Sequence, residues 1–287
     1  MDKTTYFYPN LTINAGGRIV DFSKPRIMGI LNITPDSFYD GGRYNSTGSA
    51  VQRAMQMVAD GADILDIGGM STRPGAKTIS IEEELDRVLP VLSAVREALP
   101  KVLLSIDTVH GAVARAAVRA GAHLINDVSA GSLDPDIMQA AADTGAPYIL
   151  MHMQGTPENM QAAPTYQDVA MEVMQFLVEK ARQLRNMGVG DIIVDPGFGF
   201  GKTLEHNYTL LKKFEALHTI GLPLMAGVSR KSMVCRLLQL KPEQALNGST
   251  VLHTMLLQKG VHVLRVHDVR EAAEAIAIVE AAGGIPR

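Results

Sequence analysis

The sequence predicts an α/β protein of the (β/α)8 TIM-barrel class, preceded by a short N-terminal β-hairpin. Three observations carry that expectation. Eight short apolar runs recur along the chain, helical patterns fill the intervals between them, and no linker rich in Pro, Gly or Ser breaks the alternation. The 287 residues suit one such barrel, which needs about 250, so residues 1–287 are expected to form a single domain. An open doubly wound sheet is the architectural alternative.

The hairpin is expected over about residues 5–22, with Ala15-Gly16-Gly17 as its turn. The barrel strands are then RIMGILNI from Arg26, DILDIGG from Asp63, VLLSIDT from Val102 and HLINDVS from His123. PYILMHM from Pro147, DIIVDPG from Asp191, LPLMAGVS from Leu222 and VHVLRVHD from Val261 complete the set. Most are continuously apolar, as strands buried on both faces of a parallel sheet must be. The clearest helix follows Ser80, which opens a capping box with Glu83. Ile81, Leu85, Val88, Leu92, Val95 and Leu99 then form one apolar stripe. Gly61, Gly121 and Gly145, each followed by Ala, stand where a left-handed cap would end a helix before the next strand.

Apolar residues make up 46% and charged residues 20%, the balance of a globular protein with a large core. A net charge of −3 provides no basic field for nucleic acid or an anionic membrane. The single cysteine, Cys235, excludes an intrachain disulfide and suits a reducing compartment. MDKTTYFYPNL lacks a basic segment followed by an apolar one, and nowhere do about 18 apolar residues run together. The expected address is the cytoplasm, with no membrane or nucleic-acid partner.

Active sites of such barrels lie at the C-terminal ends of the strands. Here the strand ends carry Asn32, Asp66, Asp107, Asn126-Asp127, His152, Asp195, Ser229-Arg230-Lys231, and Arg265 with His267. Any one of these could be a capping or solvated residue. Eight together point to a polar ligand, because each buried polar group left unpaired costs roughly 1–3 kcal/mol. Arg265 and His267 are two apart, hence on one face of the last strand, where such barrels commonly bind phosphate; pairing with Asp268 or a neighbouring carboxylate is the structural alternative. Asp195 to Thr203, DPGFGFGKT, resembles a nucleotide phosphate loop but is one residue short between Gly197 and Gly201-Lys202-Thr203. It reads instead as a Gly-rich turn with Asp195 as its working residue. Lys231 could form a Schiff base, but Asp107, Asn126, Asp195 and Lys231 form a set of acceptors and donors matched to a flat heterocycle such as a pterin. No zinc-site spacing occurs. Met151 and Met153 flank His152, which reads as a core histidine.

In this order the motifs resemble the dihydropteroate synthase family, from about Arg26 to the C-terminus. They are MGILNITPDSF at Met28, GGMSTRPGA at Gly68, SIDT at Ser105, INDVSA at Ile125 and LMHMQGTPENM at Leu150. DPGFGFGKTLEHN at Asp195, SRKSM at Ser229 and RVHDV at Arg265 continue the match. The resemblance implies condensation of 6-hydroxymethyl-7,8-dihydropterin diphosphate with p-aminobenzoate, releasing pyrophosphate. It assigns the pterin to Asp107, Asn126, Met151, Asp195, Phe200, Gly227, Lys231 and Arg265. The diphosphate falls to Asn32, Arg73, Arg265 and His267, with Asn32 also on a Mg2+ ion. Phe38, Thr72, Pro74, Lys231 and Ser232 would line the p-aminobenzoate site, and Asp40 would lie near the reacting methylene. Asp40, Asp107, Lys231, Arg265 and His267 would thus carry the catalysis, and family membership implies a homodimer. One departure is Met70, where the family usually has Glu. A methyltetrahydrofolate methyltransferase-type barrel would need no diphosphate cluster, and a non-catalytic pterin-binding module could dispense with Asn32, Arg265 or His267.

Overall fold

The computed structural model describes residues 11–33, 43–70, 79–157, 159, 160, 162 and 164–284. β1 (Thr12–Ala15) and β2 (Arg18–Asp21) form an antiparallel hairpin closed by Gly16 and Gly17, with Ala15 paired to Arg18. Positions 5–10 of the expected hairpin lie outside the described residues.

Eight parallel strands follow: β3 (Arg26–Asn32), β4 (Ile64–Gly68), β5 (Leu103–Asp107), β6 (Leu124–Asp127), β7 (Tyr148–Met151), β8 (Ile192–Asp195), β9 (Met225–Ala226) and β10 (Val263–Val266). Their order is β8-β7-β6-β5-β4-β3-β10-β9, and a parallel bridge between Val194 and Leu224 brings the two edges together. The barrel reading holds and the open sheet does not. Each strand lies inside its predicted run but is shorter. The seventh contracts most, to Met225–Ala226, ahead of Gly227, a residue with no side chain to pack against a neighbouring strand.

Helices α1 (Arg43–Ala59), α2 (Ile81–Ala98), α3 (Gly111–Arg119), α4 (Asp136–Thr144), α5 (Val169–Asn186), α6 (Leu204–Lys212), α7 (Ser232–Leu238), α8 (Leu246–Gln258) and α9 (Val269–Ala281) pack outside. In α2 only half of the expected capping box forms. Ser80 Oγ accepts the Glu83 N–H at 3.2 Å, but the Glu83 carboxylate ion-pairs with Arg87 one turn later. A charge-assisted bond to a guanidinium outcompetes one to a neutral backbone N–H. Val88, Leu92 and Val95 of the predicted stripe are buried. So is Glu84, which bonds His110 Nδ1 at 2.7 Å.

The pleat sorts each strand into two faces. Ile27, Leu65, Leu104, Ile125, Leu150, Val194 and Leu264 point outward into a core shared with the helices. Met28, Ile64, Leu103, Leu124, Ile149, Ile193, Met225 and Val263, one from each barrel strand, form an inner ring. That ring packs against Ile13, Ala15, Val20 and Phe22 of the hairpin segment. The hairpin therefore plugs the N-terminal end of the barrel, and the opposite end carries the polar residues.

Candidate active site

Two residues beyond the apolar ring, the inward positions are Ile30, Asp66, Ser105, Asn126, Met151, Asp195, Gly227 and Arg265. Polarity thus rises by one layer at the same pleat phase. Asp66 Oδ2 accepts Asn126 Nδ2 at 2.9 Å and Arg265 Nε at 2.7 Å. Arg265 Nη2 also donates to Asp107 Oδ2 at 2.5 Å. Burial pushes Asp107 up to about 7, with Arg265 opposing and the carboxylates of Asp66, Glu84 and Asp127 reinforcing the rise. Asp127, the neighbour of Asn126, points outward and is committed to Tyr148, Ser129 and Gly131. Of that adjacent pair only Asn126 reaches the site.

After β8 the chain turns sharply. Asp195 Oδ1 accepts the Gly197 N–H at 2.7 Å, and Gly197 and Gly201 have φ of 69° and 59°. A Cβ on Gly197 would lie 2.0 Å from the His152 carbonyl, and one on Gly201 2.3 Å from that of Gln154. Only glycine permits this backbone-to-backbone approach. The turn carries Phe200 to the site, where the Lys231 ammonium sits 4.5 Å from the ring centroid and bonds the Phe198 carbonyl. Burial raises the Asp195 carboxyl, against Lys231, the Gly197 N–H, Arg265 and Lys202. Burial also brings Lys231 down to about 8.

At the rim, Asp107 Oδ2 and Asn32 Oδ1 stand beside Gly68, 3.6 and 3.7 Å from where its Cβ would be. His267 lies just past the end of β10, not within it as expected. Its backbone N–H donates to Ser229 Oγ at 3.2 Å, and its Nδ1 is 3.3 Å from the same oxygen. The carboxylate alternative is realised for Arg265, through Asp66 and Asp107 rather than Asp268, while Arg230 Nε and Nη2 form a fork to Asp268 at 2.8 and 2.7 Å. Ser232 is exposed at the first turn of α7.

A shallow cleft is lined by Asn126, Val128, Met151, Asp195, Phe200, Met225, Gly227, Lys231 and Arg265. Seven of the eight residues expected around a pterin are in this lining, and the eighth, Asp107, is ion-paired to Arg265 behind it. Phe38, Asp40, Thr72, Arg73 and Pro74 lie outside the described residues. Sequence reasoning left Asp66 without a role although it is a strand-end carboxylate. It took Lys202 only as part of a failed phosphate motif.

A family model described as pterin binding enzyme matches residues 28–267. The chain belongs to the pterin binding enzyme family. Among the relatives of this pterin-binding chain, dihydropteroate synthase from Escherichia coli K12 is 47% identical over 269 residues, covering 93% of this chain and 95% of its own. The dihydropteroate synthase of Yersinia pestis, solved as a sulfonamide drug complex, superposes with a TM-score of 0.89 at 46% identity. It covers 95% of this chain and 99% of its own. The Xanthomonas albilineans enzyme, solved with 7,8-dihydropteroate, gives 0.86 at 40% identity over 96% and 100% of the two chains. Met70, the departure from the usual family pattern, packs with Met153 against Val109, Val128, Met151, Met160 and Phe200. An apolar contact therefore holds Met70 two residues past the end of β4.

Proposed function

We propose that the protein is a dihydropteroate synthase, joining 6-hydroxymethyl-7,8-dihydropterin diphosphate to p-aminobenzoate and releasing pyrophosphate. The observation that carries this reading is the inward layer itself: acceptor, amide and cationic groups converge on one cleft at the C-terminal end of the barrel. Asp195 accepts N–H groups of the heterocycle, Asn126 matches its mixed edge, and Lys231 donates to a ring acceptor. Phe200 and Met151 wall its faces.

In the reaction the carbon–oxygen bond to the diphosphate breaks and a carbon–nitrogen bond to the aryl amine forms. The amine gives up a proton and pyrophosphate leaves. An aryl amine is a weak nucleophile, so leaving-group stabilisation dominates and cleavage precedes attack. Arg73, Arg265 and His267 neutralise charge developing on pyrophosphate. Asp40 and Asp107 offset positive charge at the methylene. Thr72, Phe38, Pro74, Lys231 and Ser232 receive p-aminobenzoate. The Asn32 side-chain oxygen beside Gly68 is a hard donor of the kind Mg2+ takes. Mg2+ held by Asn32 would supply further charge neutralisation to the leaving group.

Pyrophosphate release by the purified protein given both substrates and Mg2+ tests the reading; release independent of p-aminobenzoate would overturn it. We further propose a homodimer, supported by exposed Leu237, Leu238, Val251, Met255 and Ile278 on the consecutive helices α7, α8 and α9. Light scattering of the purified chain reports that directly. Among the described residues no helix is long and apolar enough to cross a membrane, and a free, half-buried Cys235 accords with a cytoplasmic address.

A further inference from the structure

Lys202 is the cation of the motif that falls one residue short of a phosphate loop, and its side chain is turned into the protein. The residue is 2% exposed. Its Nζ lies 2.9 Å from the Gly197 carbonyl, 3.0 Å from the Phe200 carbonyl and 3.0 Å from His152 Nδ1, with the His152 carbonyl at 3.5 Å. When protonated the amine has three donors, and the three nearer acceptors saturate them; burial brings it down to about 7, with Asp195 opposing and Lys231 reinforcing, so it carries its charge on the acid side of that value. Burial, helped by Lys202 itself, pushes His152 down to about 3, so the ring is neutral and Nδ1 is free to accept when Nε2 carries the proton.

These partners belong to two different turns. His152 follows Met151 at the end of β7, whereas Gly197 and Phe200 follow Asp195 at the end of β8. The turns also touch backbone to backbone, where Gly197 meets His152 and Gly201 meets Gln154. One buried nitrogen thus ties together the two segments that present Met151, Asp195 and Phe200 to the cleft.

We propose that Lys202 is a positioning residue. Its buried amine clamps the β7 and β8 turns, holds Asp195 and Phe200 in place to read the heterocycle, and touches no substrate. The inference rests on the reading of the cleft as a pterin site. The clamp has an electrostatic side as well: Lys202 joins Lys231 and Arg265 in favouring the ionised form of Asp195 against burial.

The test is calorimetric titration of the wild type, Lys202→Met and Lys202→Gln with 6-hydroxymethyl-7,8-dihydropterin across pH, with urea unfolding to establish the folded fraction. Steady-state kinetics accompany it. Expected are folded variants whose pterin affinity falls by about tenfold or more, equivalent to about 1.4 kcal/mol. KM for the pterin substrate should rise while KM for p-aminobenzoate stays within about twofold. The acid limb of pterin binding should move to higher pH, because Asp195 has lost a neighbouring cation; a purely structural lysine would leave that limb in place. Wild-type affinity and an unmoved acid limb in either folded variant would overturn the clamp. So would failure of both variants to fold, since a positioning residue leaves the barrel standing. A wild type that binds no pterin overturns the pterin reading first, and the role of the clamp with it.

Discussion

Asp66 and Arg265 are 199 positions apart in the chain and 2.7 Å apart in space. No local pattern announces such a pair, which is why Asp66 went unassigned while Arg265 stood out. One oxygen of Asp66 orients both the Asn126 amide and the Arg265 guanidinium. Asp66→Ala should therefore cost about 1–3 kcal/mol of stability, since the Asn126 amide loses its acceptor while Arg265 keeps Asp107, and should weaken pterin binding in the folded fraction. Urea unfolding measures the first and calorimetry the second; unchanged affinity would restrict Asp66 to a folding role. Lys231 provides a pH test. Burial lowers its amine to about 8, opposed by Asp195 and Asp107 and reinforced by Arg265. Because the folded value lies below the ordinary one of about 10.4, the folded chain loses this proton first. The group's burden on stability is present below about 8 and is relieved as pH rises beyond that. Pterin binding runs the opposite way, since the cationic donor disappears over the same range. Affinity should decline above about pH 8, and Lys231→Met should flatten that limb. A limb that survives in the variant belongs to another group.

At the scale of elements, the eight barrel strands were legible because burial on both faces leaves long unbroken apolar runs. Their ends were less so: the closing residues of each run bend into the rim, and β9 keeps only Met225 and Ala226. Asp195 to Thr203 shows how a motif can mislead by one residue. Its glycines make the turn, Lys202 faces inward, and Thr203 caps α6. Thr203 Oγ1 accepts the His206 N–H at 3.1 Å, and His206 Nδ1 accepts the Thr203 N–H at 3.3 Å. The backward-reaching residue is a histidine, a variant outside the Ser/Thr-x-x-Glu/Gln pattern. Thr203→Ala should cost about 1 kcal/mol, with kcat retained. A matching loss of turnover in fully folded protein would show that the cap also sets the turn geometry.

For the molecule as a whole, the hairpin was predicted but its purpose was not, because nothing local says which end of a barrel a hairpin will cover. Phe22, 2% exposed, packs among the inner ring at the N-terminal end. Phe22→Ala should cost about 3–5 kcal/mol, as truncation of a buried aromatic does. kcat/KM of the folded fraction should remain at the wild-type value, since the apolar ring separates Phe22 from the polar layer. Denaturation midpoints and steady-state kinetics on the same preparation check both halves. A fall in kcat/KM at full folding would mean that the plug transmits strain to the cleft.

The apolar ring and the polar layer are two residues apart on the same strands, so inserting one residue into a strand upstream of its polar position exchanges the inward and outward sets below it. At β6, for example, such an insertion would put Leu124 and Asn126 among the helices and Ile125 in the lumen. Two inserted residues would preserve the faces but displace the apolar ring by one layer relative to the site. Mutational scanning should accordingly show little tolerance on either face of the strands, with apolar residues required at the outward positions and the site's own residues at the inward positions of the polar layer. Single-residue insertions should be confined to the connections between strands and helices. New substrate preferences can therefore arise by substitution at the lumen positions or by change in the connecting loops, but not by lengthening a strand.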